Sequence, residues 1–184
     1  MLTAMRILGI DPGLAHTGFA VIDFDGQASR LLAAGQITTP AELPLPQRLK
    51  QIHDGLVAVI QEWSPDVAAL ENLYFCTNVR TAISVAQGRG VAILSTAQAN
   101  IPLAEYSPLE IKLAVAGYGK ATKQQIQKMV KTILNLESVP ASDHVADSMA
   151  VALCHAHSQR YQNMIIASGV EQGVLPRRRK SRRR

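Results

Sequence analysis

Aromatic residues make up only 4% of this 184-residue chain, and cysteine occurs twice, as Cys76 and Cys154. The two cysteines form neither a CxxC motif nor a ligand-like pair. This reads as two structural thiols in a reduced, cytosolic compartment. No uninterrupted apolar run approaches the 18 or so residues of a membrane span, so none is expected. The first residues, Met1 to Arg6, lack the basic patch, apolar stretch and small-residue cleavage site of a secretory signal. Neither an internal repeat nor a dividing linker is visible. Disorder of the whole chain is excluded in turn, because 47% of it is apolar and 18% charged. At about 100–200 residues per domain, the length fits a single domain. Residues 1–160 are expected to form it, with a disordered basic tail over 161–184.

Acid is missing from the last nine residues, Pro176 to Arg184, which hold seven Lys or Arg. The net charge of +5 therefore describes the tail and not the body. Within the body the charges segregate. Residues 1–79 carry 4 basic and 8 acidic side chains, residues 80–135 carry 7 and 2, and residues 136–176 carry 1 and 4. This division suits a protein that meets a polyanion with one surface and a metal with another.

Arg6 to Asp11 is a short apolar run closed by Pro12-Gly13, which reads as a strand and its turn. Gly18 to Gly26 reads as a second strand closed by an Asp-Gly turn, and residues 30–39 as a third, making an antiparallel meander. Leu45, Leu49, Ile52, Leu56, Val59, Ile60 and Trp63 fall at helical spacing, and Ser64-Pro65 stops that helix. Asp66 to Glu71 is a buried strand ending in a carboxylate. Asn78 is placed to cap a helix to about Ala99, rich in small residues. Ile101 to Tyr106 is a fifth strand, followed by a short helix over Pro108 to Ala116 with proline in its first turn. Gly117 to Lys120 reads as a flexible basic loop. Thr122 and Gln125 make a capping box for a helix over about 123–136. Ser142 or Asp143 caps a last helix to about Gln159. The order implies a mixed α/β sheet with helices on its faces.

Three acidic points stand out. Asp11 ends the first strand and Glu71 ends the fourth, where a buried carboxylate is costly unless it is paired or holds a metal. The third is the cluster at the start of the last helix. There His144 and Asp147, at i and i+3, share a face, and Asp143 lies four before Asp147. If the first and fourth strands are neighbours and the last helix crosses their ends, four ligands converge. Oxygen-rich ligation suits Mg²⁺ or Mn²⁺, and one imidazole favours Mn²⁺. Two such ions about 3.5–4 Å apart activate a water and stabilise the leaving oxygen in phosphodiester hydrolysis. The ordinary alternatives are a turn for Asp11, a lysine pair for Glu71 and helix-terminus electrostatics for Asp143 and Asp147. Asp23 and Asp25 are expected only to shape a hairpin, and His16, His53, His155 and His157 to be surface or packing residues.

Ile7-Leu8-Gly9-Ile10-Asp11-Pro12-Gly13 with Thr17-Gly18, Ala69-Leu70-Glu71, Gln87 to Ala92, Glu105-Tyr106 and Ala146 to Ala152 together resemble the RuvC family of Holliday junction resolvases, over about residues 5–158. The resemblance implies a ribonuclease-H-like fold, with a mixed five-stranded sheet and helices on both faces. It also implies a homodimer and metal-dependent cutting of four-way DNA junctions, leaving 5′-phosphate and 3′-hydroxyl ends. Asp11, Glu71 and Asp147 match three of the family's acidic catalytic positions. His144 stands where many members have Asp, and some members resemble this chain in having His there. The resemblance makes a branch-migration motor a candidate partner. His144 ligates only when neutral, so activity is expected to fall below about pH 6.5.

Junction affinity comes mainly from neutralised phosphates. The candidate contacts are Arg80, Arg89, Lys112, Lys120 and Lys123, with Lys128 and Lys131 more simply read as solvated helix faces. Lys112 and Lys123 resemble basic DNA contacts of the family. Tyr74, just past Glu71, is placed to stack on a base at an opened junction, worth about 1–3 kcal/mol. By the resemblance, the helix over 79–99 forms the dimer interface, which gives two symmetric sites for two symmetric nicks. The other readings are a ribonuclease H acting on RNA–DNA hybrids, an ATP-using enzyme of the actin and sugar-kinase fold, and a noncatalytic junction binder.

Overall fold

The computed structural model describes residues 4–72 and 79–167. Five strands, β1 (Met5–Asp11), β2 (His16–Phe24), β3 (Ser29–Thr38), β4 (Val67–Glu71) and β5 (Leu103–Tyr106), form one sheet in the order β3-β2-β1-β4-β5. β1, β2 and β3 make the expected antiparallel meander, while β4 lies parallel to β1 and β5 parallel to β4. The helices are α1 (Leu45–Trp63), α2 (Val79–Gln98), α3 (Pro108–Ala116), α4 (Lys123–Ile133) and α5 (Asp143–Ala167).

Side chains alternate across a strand, and here the alternation divides the core in two. Ile7 of β1, Ala20 and Ile22 of β2, and Val67 and Ala69 of β4 face α3, α4 and α5. Leu8, Ile10, Val21, Ala68 and Leu70 face α1 and Ala92 of α2. Helices therefore cover both faces of the sheet, as the resemblance implies.

Local chemistry accounts for the boundaries. α1 ends where Ser64 turns left-handed at φ 45° and its N–H reaches Ile60 O at 2.8 Å, next to Pro65. α4 begins at the Thr122–Gln125 capping box, and α3 at a second one between Ser107 and Glu110. Asp25 closes the β2–β3 hairpin by accepting the N–H groups of Gln27 and Ala28, both at 2.8 Å. Asp23 does different work from that expected, pairing with Arg6 at 3.1 Å and with Arg30 at 3.5 Å.

α5 departs most from expectation. It runs on to Ala167 instead of ending near Gln159, because no Gly or Pro interrupts the chain between Asp143 and Ala167. Asp143 is its first residue and not its cap. Ser142 precedes the helix, and its Oγ donates to Gln36 Oε1 at 2.6 Å. Two glycines let α5 lie directly on the sheet. A Cβ at Gly9 would stand 2.1 Å from Ser148 O, and one at Gly18 would stand 2.1 Å from His144 O. Cys154 is buried in α5, and burial pushes its thiol up to about 12, in keeping with a structural thiol. Cys76 and the expected Asn78 cap lie outside the described residues. Among the described residues no helix is long and apolar enough to cross a membrane.

Candidate active site

The strand period places the first two acids. Odd-numbered positions of β1 and β4 point toward α5, and Ile7 pairs with Val67 and Gly9 with Ala69. One further step along each strand brings Asp11 and Glu71 to the same face at the same end of the sheet. The close approach of α5 over Gly9 and Gly18 then brings its first turns to that end. His144 Nδ1 lies 2.6 Å from Asp11 Oδ2. With the carboxylate as acceptor, Nδ1 is the donor.

Lys123, the first residue of α4, enters from the side. Its Nζ is 3.0 Å from Asp147 Oδ2 and 3.2 Å from Asp143 Oδ2. Burial works against its ammonium, but the hydrogen bonds and charges of Asp147 and Asp143 outweigh that and hold its pKa above the ordinary value. Asp143 is also met by Gln127 Nε2 at 2.8 Å.

The acids are short of compensating charge. Burial raises the pKa of Asp11; the His144 hydrogen bond pulls it back, and the charge of Asp147 adds to the rise. Glu71 is pushed from 4.5 to about 7, first by burial and then by repulsion from Asp11 and Asp147, which the charges of Lys112 and Lys123 only partly offset. Among the described residues Glu71 has no side-chain hydrogen bond, and the acids and His144 do not close into a ligand shell. Among the described residues the Lys123 ammonium pairs directly with the cluster, and Lys112 stands at the cleft beside it. Hard oxygen donors with uncompensated repulsion and one imidazole fit a hard divalent cation. Asp11, Glu71, His144 and Asp147 are the residues that would hold it. Beside them opens a cleft of about 210 Å³, lined by Glu71, Lys112, Lys123 and Asp147 over an apolar floor that includes Ile111 and Ile126.

The basic residues divide. Lys112 and Lys123 stand at the cleft, and Lys120 is exposed on the turn after α3. Arg80 belongs to the first turn of α2. Its side chain, and all of Tyr74, lie outside the described residues. Arg89, expected as a phosphate contact, is turned inward. Its side chain is only 14% exposed, its Nη1 donates to Glu71 O at 2.6 Å, and its Nη2 pairs with Glu105. His16 is a neighbour of the site that sequence reasoning set aside. Its ring lies 5.5 Å from that of His144, and its Nδ1 meets Gln36 Nε2 at 2.8 Å. Gln36 in turn accepts from Ser142. The position of His16 just before Thr17-Gly18 was the available signal.

Residues 7–155 match the family model "Crossover junction endodeoxyribonuclease RuvC". A crossover junction endodeoxyribonuclease RuvC of Alkaliphilus oremlandii is 51% identical over 160 residues, covering 87% of this chain and 98% of its own. One of Chloroflexus aggregans is 52% identical over 154 residues, covering 84% and 94%. Among solved structures, T. thermophilus RuvC in complex with a Holliday junction substrate is similar at a TM-score of 0.82 and 33% identity, covering 86% of this chain and 96% of that one.

Proposed function

This chain belongs to the RuvC family of crossover junction endodeoxyribonucleases, and from that premise we propose that it resolves four-way DNA junctions at the acidic end of its sheet, by divalent-metal-dependent phosphodiester hydrolysis. The observation that carries the reading is the meeting of Asp11, Glu71, His144 and Asp147 from three separate elements at one sheet end, with lysines beside them. The family match does not favour an ATP-using enzyme of the actin and sugar-kinase fold.

Asp11, Glu71, His144 and Asp147 would hold the cations, Mg²⁺ or Mn²⁺ by their donor chemistry, and two per site would suit phosphodiester hydrolysis. When bound, the cations supply Lewis-acid activation of a water and stabilisation of the leaving oxygen. His144 uses Nδ1–H to orient Asp11, which would leave Nε2 to ligate a cation. Glu71 must shed its proton before it ligates, so the site fills more readily above about pH 7. Lys123, released from Asp147, is close enough to neutralise a phosphate at the cleft. Lys112 borders the same cleft, Lys120 extends the basic surface, and Arg80 is assigned as a further phosphate contact. Tyr74, following Glu71 by three residues, stacks on a base of the opened junction.

α2 leaves Ile83 and Leu94 exposed at 54% and 51%. Eleven residues are close to three helical turns, so these two share a face. We assign that face to a second copy of the chain. The dimer presents two acidic sites to a two-fold junction. A branch-migration motor, a cytoplasmic location and a basic tail with a role in DNA contact complete the reading. The test is a substrate panel with Mg²⁺ or Mn²⁺: labelled four-way junction, linear duplex and RNA–DNA hybrid. Paired nicks in the junction alone are expected. Cutting of the hybrid would keep the site and overturn the substrate, and junction binding without cutting would overturn catalysis.

A further inference from the structure

Glu71 is the last residue of β4, and β1 pairs with that strand only as far as Leu70. Beyond Asp11, β1 gives way to Pro12, which has no N–H to offer. The Glu71 carbonyl is bound instead by Arg89 of α2, at 2.6 Å. The other arm of the same guanidinium pairs with Glu105 of β5. One residue earlier, Gly88 is buried against the opposite turn, where an added Cβ would stand 3.1 Å from Gly13 C. Two consecutive residues of α2 therefore touch both turns that present the strand acids, the Asp11 turn through Gly13 and the Glu71 turn through its own carbonyl.

We infer that Arg89 is a positioning residue for strand cleavage: from α2 it fixes the backbone at Glu71, and so the place of the Glu71 carboxylate relative to Asp11. The inference rests on the reading of this site as the nuclease centre. A guanidinium suits the task because its planar fork reaches a carbonyl and a carboxylate at once, which an ammonium on a flexible stem does not. Moving Arg89 out to a phosphate would strip the Glu71 carbonyl and Glu105 of their partner. α2 also carries the exposed Ile83 and Leu94, so the face assigned to a second chain and the brace on Glu71 belong to one rigid helix.

The test compares wild type, Arg89→Met, Arg89→Lys and Glu105→Gln in the full chain. Four quantities are measured: single-turnover nicking rate, junction Kd across a salt series, Mn²⁺ affinity by calorimetry without DNA, and melting temperature. A misplacement on the order of 1 Å costs about 100-fold in rate. Arg89→Met is expected to lose about that much and to bind Mn²⁺ more weakly, with junction Kd and salt slope unchanged. Arg89→Lys, reaching one acceptor of the two, should fall between it and wild type. It also keeps the test alive if Arg89→Met does not fold. Glu105→Gln should show the same split at smaller size. A weaker Kd with a shallower salt slope and an intact nicking rate would make Arg89 a phosphate contact and overturn the inference. A lower melting temperature with rate and Mn²⁺ affinity both intact would make it a structural bolt and overturn it as well. If wild type fails to nick the junction at all, the resolvase reading falls and takes the inference with it. Normal wild-type cutting with indifferent variants removes the inference alone.

Discussion

Glu71→Gln should stabilise the protein while disabling it, and the pH dependence of the gain identifies its cause. In the folded chain the Glu71 carboxyl is raised from 4.5 to about 7, by burial first and then by the charges of Asp11 and Asp147. Below pH 4.5 the group is protonated whether the chain is folded or not, and folding carries no penalty. Between 4.5 and 7 the unfolded chain gives up the proton while the folded chain keeps it, so stability falls as pH rises. Above 7 the penalty is complete. At about 1.4 kcal/mol per pH unit the interval amounts to about 3 kcal/mol, and solvent screening of this half-buried group reduces it to about 2. Glutamine never ionises and escapes the penalty. For a chain of this size about 2 kcal/mol corresponds to about 4–8 °C in Tm. Melting curves of wild type and Glu71→Gln in chelator should therefore coincide near pH 4.5 and separate by that amount at pH 8, with the variant higher. Divalent cation should close the gap by stabilising wild type alone. A pH-independent difference, or a wild type more stable than the variant at pH 8, would mean that the buried Glu71 charge does not destabilise the fold.

Gly18→Ala should destabilise by about 1–3 kcal/mol in denaturant unfolding and weaken nicking, because the added Cβ meets the His144 carbonyl and lifts α5 from the sheet. Leu94→Glu should convert dimer to monomer in sedimentation at micromolar concentration, since it places a charge in the exposed apolar face of α2. Lys120→Met should lower the slope of log affinity against log salt by about 0.9 without altering the nicking rate of bound junction, as befits an exposed lysine on a turn.

The site was legible where two periodicities govern it. The two-residue alternation of β1 and β4 sets Asp11 and Glu71 on one face, and the helical i, i+3 spacing sets His144 beside Asp147. The Thr122–Gln125 capping box starts α4 at Lys123 and so carries that lysine to the site. What stayed hidden depends on contacts between distant elements. Arg89 in a mid-chain basic stretch looks the same whether it faces phosphate or the interior; its direction follows from α2 packing over Gly13 and the end of β4. His16 needed the β2–β3 register, which sets it opposite Thr38 and within reach of Gln36. The last helix was expected to end near Gln159 with disorder from Tyr161 onward, but no Gly or Pro breaks the chain there, and α5 continues to Ala167.

The central claim is that the acids at the sheet end cut the junction. The most direct measurement is single-turnover nicking of a labelled four-way junction in Mn²⁺ by wild type and Asp11→Asn, with junction Kd taken on the same samples. Wild type should make symmetric nicks and Asp11→Asn none, with equal affinity for both. Nicking by Asp11→Asn at the wild-type rate would contradict that claim.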